Sequence, residues 1–281
     1  MSVLVPTSLD AALQALSDNP LATVLSGGTD LMVEFNGGHR RAEHLVVVNR
    51  VPELCSWHHD PSAGTLRIGG GIRYSEIERA PIADWVPALA QAARTVGSPQ
   101  IRHAATIGGN VGTCSPAGDG LPVLSATDAV IELVSTAGVR RVPFGEFMLG
   151  PKRTARRPEE LISAVIVPIA VGYQGYTKVG VRNAMVIAIA SVALVVGHRS
   201  VAIALGSVGP TILRCPEAER LAAEHADFVE RRLAGEVRDE CVELVRKAAR
   251  PIDDHRSTAV YRRHAVGILA GRLLRRAFPN G

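Results

Sequence analysis

The chain has 281 residues, enough for one large domain or two ordinary ones, each with its own core. It is apolar-rich and only 4% aromatic, a composition that suits a soluble α/β-type protein packed with Val, Leu, Ile and Ala and argues against disorder. The net charge of +4 comes largely from arginines in the C-terminal third, at Arg231, Arg232, Arg262, Arg263, Arg272, Arg275 and Arg276. Most stand at helical spacing with almost no aromatics between them, which describes a solvated helix face and speaks against nucleic-acid binding.

Leu9, Leu13 and Leu16 behind Thr7 and Ser8 predict a capped amphipathic helix. The apolar stretch Ala22 to Leu25 then runs into Ser26-Gly27-Gly28-Thr29-Asp30 and a helix starting at Leu31, giving strand, glycine turn, helix. Leu45 to Val48 and Thr65 to Ile68 read as strands, the second ending at Gly69-Gly70-Gly71, and Tyr74 to Arg79 and Ala83 to Arg94 as helices. A second turn is expected at Thr106-Ile107-Gly108-Gly109-Asn110, a polar loop at Cys114 to Gly120 and a helix at Leu121 to Thr127. Ala129 to Val134 and Val139 to Val142 form an expected hairpin, and Leu161 to Val167 a strand ending at Pro168. Strands at Tyr173 to Val179, Ile187 to Val196 and Val201 to Leu205 follow, then helices from Pro216, Gly235 and Ala259. Strands followed by helices indicate a separate α+β unit, so two domains are expected, 1–170 and 171–281.

The four cysteines are scattered without CxxC pairs, so neither a cluster nor a zinc site is signalled. His58-His59-Asp60 reads as a solvated loop rather than metal ligands, and Asp253-Asp254-His255 as capping and loop packing rather than an acid/base group. Met1 to Asp10 has no secretory pattern and no run reaches membrane-span length, so the chain is expected to be cytoplasmic.

The chemistry concentrates in the glycine turns. Adjacent glycines between a strand and a helix leave backbone N–H groups open to phosphate oxygens, and a helix N-terminus favours their charge. Neither GxxxxGK[ST] nor GxGxxG is present, so Walker and Rossmann sites are set aside. Two such turns suit the two charged groups of a diphosphate. Asp119 would repel phosphate, and instead suits a hydroxyl or amide of the same ligand. No nucleophile motif appears, and no catalytic residue is assigned to this chain. Cys114 reads as a packed thiol, since nothing basic beside it in sequence would lower its pKa.

The runs Leu25 to Leu31, Ala105 to Asn110 and Ser115-Pro116-Ala117-Gly118-Asp119 resemble the flavin-binding medium subunit of xanthine dehydrogenase and carbon monoxide dehydrogenase-type molybdenum hydroxylases. Tyr176 to Gly180, Arg182-Asn183-Ala184 and the ending Arg256 to His264 are similar to that family's C-terminal domain. The resemblance covers essentially the whole chain. It implies an α+β fold: a PCMH-type, vanillyl-alcohol oxidase-like FAD-binding domain, then a small domain with a three-stranded antiparallel sheet and helices. It implies FAD contacts at Ser26, Gly27, Gly28, Thr29, Asp30 and Leu31, and at Thr106, Ile107, Gly108, Gly109 and Asn110, with further contacts at Ser115, Asp119, Ile162 and Lys178. His103 departs from the pattern, standing where relatives often carry Asn, and Cys114 stands where small residues are usual.

The molybdenum cofactor and [2Fe–2S] clusters would lie on a large and a small partner subunit, in a dimer of heterotrimers, with NAD or another acceptor taking the electrons. Two rivals follow from the residues alone: a non-catalytic nucleotide-binding assembly protein, and a self-sufficient flavin oxidase. The second lacks both a candidate base and the length of a substrate domain.

Overall fold

The computed structural model describes residues 2–281. The chain folds as two compact units, neither contiguous in sequence. The first runs to Glu76 and takes in Pro99–Cys114 and Asp128–Pro168; the second comprises Ile77–Ser98, Ser115–Thr127 and Ile169–Gly281.

In the first unit a three-stranded parallel sheet places His44–Val47 between Ser2–Leu4 and Thr23–Leu25. Parallel strands need a crossover, and the helix Leu9–Asp18 supplies it. Ser8 caps that helix by accepting a hydrogen bond from the Ala11 amide at 3.2 Å. Its apolar face buries Ala12, Leu13 and Leu16 against Val46, Val51, Leu54 and Leu161. Burial of each leucine contributes about 1.5–3 kcal/mol.

A five-stranded antiparallel sheet follows, in the order Trp57–Asp60, Thr65–Gly69, Leu161–Pro168, Val130–Ser135, Gly138–Pro143. His58-His59-Asp60 therefore belongs to an edge strand rather than a loop. The Asp60 carboxylate shapes the following turn by accepting from the Ser62 amide and hydroxyl and from the Ala63 amide. The sequence also hid the helix Pro99–Ala104. Moreover, what reads as a second glycine turn is the capped start of a helix, Ile107–Thr113.

The second unit is built on an antiparallel sheet of Gln174–Val179, Ala190–Val196, Val201–Gly206 and a two-residue fourth strand, Leu213–Arg214. Three strands were expected; the fourth is too short to carry a periodic signal. Helices Pro216–His225, Ala259–Ala277, Pro87–Thr95 and Gly120–Ala126 pack on it, and Gly235–Ala248 packs against the first two. All seven residues of Ala190–Val196 are buried, which explains a run that is apolar except for Ser191 where a half-exposed strand would alternate. By contact, the segments 77–98 and 115–127 pack with this sheet. Among the described residues no helix is long and apolar enough to cross a membrane.

Candidate functional site

The expected site residues fall into two groups: Ser26 to Leu31, Thr106 to Asn110 and Ile162 in the first unit, and Ser115, Asp119 and Lys178 in the second. In the first unit the two glycine runs come together. Thr106 Oγ1 lies 3.1 Å from Ser26 Oγ and donates to it, while accepting from the Gly109 amide at 3.1 Å. A Cβ placed on Gly27 would stand 1.9 Å from the Ala104 carbonyl oxygen, so only glycine permits this approach of two backbones. Gly28 supplies the left-handed φ of +72° that turns the chain from strand to helix.

The two runs are not equivalent. Among the described residues the amides of Gly27, Gly28, Thr29 and Asp30 have no acceptor, so this turn presents bare donors. The second run was expected to do the same, and the structure corrects this. Ile107 N–H donates to Ile72 O at 3.0 Å, Gly108 to Gly70 O at 2.9 Å, Gly109 to its own cap Thr106, and Asn110 to Thr106 O at 3.0 Å. The glycines here serve backbone packing: a Cβ on Gly108 would meet Gly70 O at 2.6 Å, and one on Gly70 would meet Ile162 O at 2.4 Å. That stacking brings Ile162 to the second run, with its Cδ1 3.4 Å from where a Cβ on Gly112 would sit.

A cleft of about 190 Å³ opens between the runs, lined by Ser26, Gly27, Asn49, Cys55, Gly71, Arg73, His103, Ala104 and Thr106. Ser26 follows the carboxyl end of strand Thr23–Leu25 and Asn49 that of His44–Val47, the end of a parallel sheet where ligands characteristically bind. Arg73 was missed from sequence. Its guanidinium, exposed and without a hydrogen-bond partner among the described residues, gives the cleft a cation beside bare amides. The signal was its place two residues after Gly69-Gly70-Gly71, a run that makes sense only where backbones touch. This donor set, amides, hydroxyls and a guanidinium with no carboxylate in the lining, fits a phosphate-bearing cofactor.

In the second unit Asp119 and Lys178 meet. Lys178 Nζ donates to Asp119 Oδ2 at 2.7 Å, Thr95 O at 2.9 Å and Val186 O at 3.0 Å, which uses all three of its protons. Tyr176 donates its hydroxyl to Asp119 Oδ1 at 2.8 Å. The Lys178 and Asp119 side chains are 8% and 9% exposed. Burial pushes the Asp119 carboxyl upward, against the opposing pull of Lys178 and of the hydroxyl bonds. Burial and the Asp119 charge push the Tyr176 phenol well up. The Ser115 hydroxyl accepts from the Ala117 amide at 3.3 Å and shapes the loop that carries Asp119. Cys114, back in the first unit, is a packed thiol: it is 1% exposed, and burial raises it to about 11.

Models of two domains match this chain: the FAD binding domain in molybdopterin dehydrogenase over residues 1–170, and the CO dehydrogenase flavoprotein C-terminal domain over 175–277. These define the class, a flavoprotein subunit of an oxidoreductase. The chain is 31% identical over 268 residues to the glyceraldehyde dehydrogenase medium chain of Sulfolobus acidocaldarius, covering 93% of this chain and 92% of that one. It is 32% identical to a putative xanthine dehydrogenase FAD-binding subunit of Escherichia coli, covering 76% of each. Among solved structures, a chain of carbon monoxide dehydrogenase from Hydrogenophaga pseudoflava superposes with a TM-score of 0.90 at 28% identity, over 99% of this chain and 97% of that one. The chain belongs to the FAD-binding subunits of the molybdenum hydroxylase family, of the xanthine dehydrogenase and carbon monoxide dehydrogenase type.

Proposed function

We propose that this subunit holds FAD as an electron relay, filled from [2Fe–2S] clusters on a small partner subunit and emptied to NAD or another acceptor. Substrate oxidation would take place at a molybdenum cofactor on a large partner subunit, in a dimer of heterotrimers placed in the cytoplasm. When bound, the flavin supplies both one- and two-electron chemistry, so the protein's part is binding, orientation and local electrostatics.

Residues 1–170 act as the FAD-binding domain and 171–281 as the flavoprotein C-terminal domain. The bare amides of Gly27 to Asp30 hold the diphosphate, with Leu31 opening the helix behind them. Thr106, Ile107, Gly108, Gly109 and Asn110 form the wall opposite, and Ile162 packs behind that wall. Ser115, Asp119 and Lys178 are assigned to the same cofactor, with Asp119 and Lys178 fixing each other's position.

The observation that carries this reading is the Gly27 to Asp30 turn, whose amides have no acceptor among the described residues and which enters, at Gly27, a cleft whose lining carries Arg73 and no carboxylate. The test is calorimetric titration of FAD into the purified chain and into the assembly from which it is drawn. Saturable uptake with a yellow product that bleaches under dithionite is expected. A well-folded protein that takes up no flavin in either form overturns the proposal.

A further inference from the structure

Arg262 lies in the helix Ala259–Ala277 and is 2% exposed, a cation almost wholly withdrawn from water. Its Nη2 donates to Asp254 Oδ1 at 2.6 Å. Its Nη1 reaches two backbone carbonyls, Ile189 O and Ser207 O, both at 2.8 Å. Each carbonyl leads toward the Asp119–Lys178 pair. Ser207 donates its own amide to Pro116 O at 2.8 Å, which pins the loop that ends in Asp119. Ile189 donates its amide to Val179 O at 2.8 Å, which closes the segment carrying Val186, the carbonyl that receives Lys178.

Ser207 is itself unusual. It holds a left-handed φ of +63°, uncommon for a non-glycine residue, and its hydroxyl is buried without a partner among the described residues. Gly206 beside it has no room for a side chain, because a Cβ would stand 2.4 Å from Ser191 Oγ and 2.8 Å from Pro122 Cγ. Strain and an unpaired polar group both cost stability, and they persist only where the surroundings impose them. Here the imposing groups are Arg262 on one side of the residue and Pro116 on the other.

We propose that Arg262 is a positioning residue for the flavin, holding Asp119 and Lys178 in place through the Ser207 and Ile189 carbonyls while Asp254 holds Arg262. The inference rests on the reading that Asp119 and Lys178 contact FAD. A guanidinium is required because one planar head must serve a carboxylate and two carbonyls that diverge; a lysine at 262 keeps the charge opposite Asp254 but has no such fork. Ser207→Gly is the complementary variant. It removes the strain and the unpaired hydroxyl without touching the ion pair, and it loosens the backbone through which Arg262 reaches the Pro116 loop, because glycine is the most conformationally free residue.

The test uses the full chain, wild type and variants, titrated with FAD and followed by the visible circular dichroism of the flavin and by thermal melting without ligand. Arg262→Lys is expected to bind FAD about tenfold more weakly and with an altered flavin dichroism. Ser207→Gly is expected to melt at or above the wild-type temperature and still bind FAD more weakly, a pairing that a purely structural role does not produce. Flavin affinity and dichroism equal to wild type in both variants overturn the proposal. Should Arg262→Lys fail to fold, Ser207→Gly decides alone: weakened binding supports the proposal and unchanged binding overturns it. A wild-type chain that binds no FAD overturns the cofactor reading instead, so the two failures are distinct.

Discussion

Replacing Lys178 by Met removes the cation from one of the most enclosed ion pairs in the second unit. The ammonium serves Asp119 and the carbonyls of Thr95 and Val186, and neither charged side chain is more than 9% exposed. In the variant both carbonyls lose their donor, and the carboxylate keeps the Tyr176 hydroxyl on its other oxygen. Breaking a buried pair from one side costs about 3–5 kcal/mol, which for a chain of this size is a fall of roughly 6–20 °C in melting temperature. The double variant Asp119→Leu, Lys178→Met removes both charges together, and it is expected to recover much of that loss.

The pH dependence has a definite sign. Burial has already raised the Asp119 carboxyl, and losing Lys178 raises it further. The native state then binds more protons than the unfolded chain just above the ordinary carboxylate range, so stability falls as pH rises through that window. The deficit of Lys178→Met relative to wild type should therefore shrink toward acid pH. Scanning calorimetry of the wild type, Lys178→Met, Asp119→Leu and the double variant at several pH values measures all of this. The reasoning is refuted if Lys178→Met melts with the wild type, or if the double variant loses the sum of the two single losses.

Four further outcomes are expected. Gly27→Ala should lower stability by about 1–3 kcal/mol, because the new Cβ meets a backbone oxygen that cannot rotate away. Gly109→Ala meets only the Thr106 hydroxyl at 3.0 Å and should change stability by less than about 1 kcal/mol while weakening FAD uptake, which melting and flavin titration measure separately. Thiol titration of the native chain should label Cys55 alone, since Cys114, Cys215 and Cys241 are buried and pushed up to about 11, about 12 and about 11; early labelling of a second thiol contradicts that burial. Finally, desolvation raises the Asp254 carboxyl but is outweighed by the amides of Arg256 and Ser257 and by Arg262, which bring it down to about 2 from 3.8. Its stabilisation should be intact above pH 3.8 and lost as pH falls through about 2, and Asp254→Asn should flatten that acid limb of the unfolding curve.

Much of the fold was legible because burial writes itself into local pattern. Leu9, Leu13 and Leu16 lie on one helical face, and the helices from Pro216, Gly235 and Ala259 begin where expected. The strand Trp57–Asp60 was not legible, since an exposed edge needs no apolar alternation and adjacent histidines before a proline look like a loop. The helix starting at Ile107 was masked by its own glycines, which propensity reads as a turn but which Thr106 caps and Gly70 demands.

By itself the sequence determined the three main strands and three long helices of the C-terminal part and the position of the glycine turn at Ser26 to Asp30, because strand, glycine pair and helix are neighbours in the chain. Its motifs also carried the family resemblance. Only the tertiary structure decided that the second glycine run spends its amides on Gly70 and Ile72, that Arg73 enters the cleft, and that Lys178 closes on Asp119. The reason is physical: whether a backbone donor is free, or a buried charge paired, depends on residues dozens of positions away that folding alone brings within 3 Å.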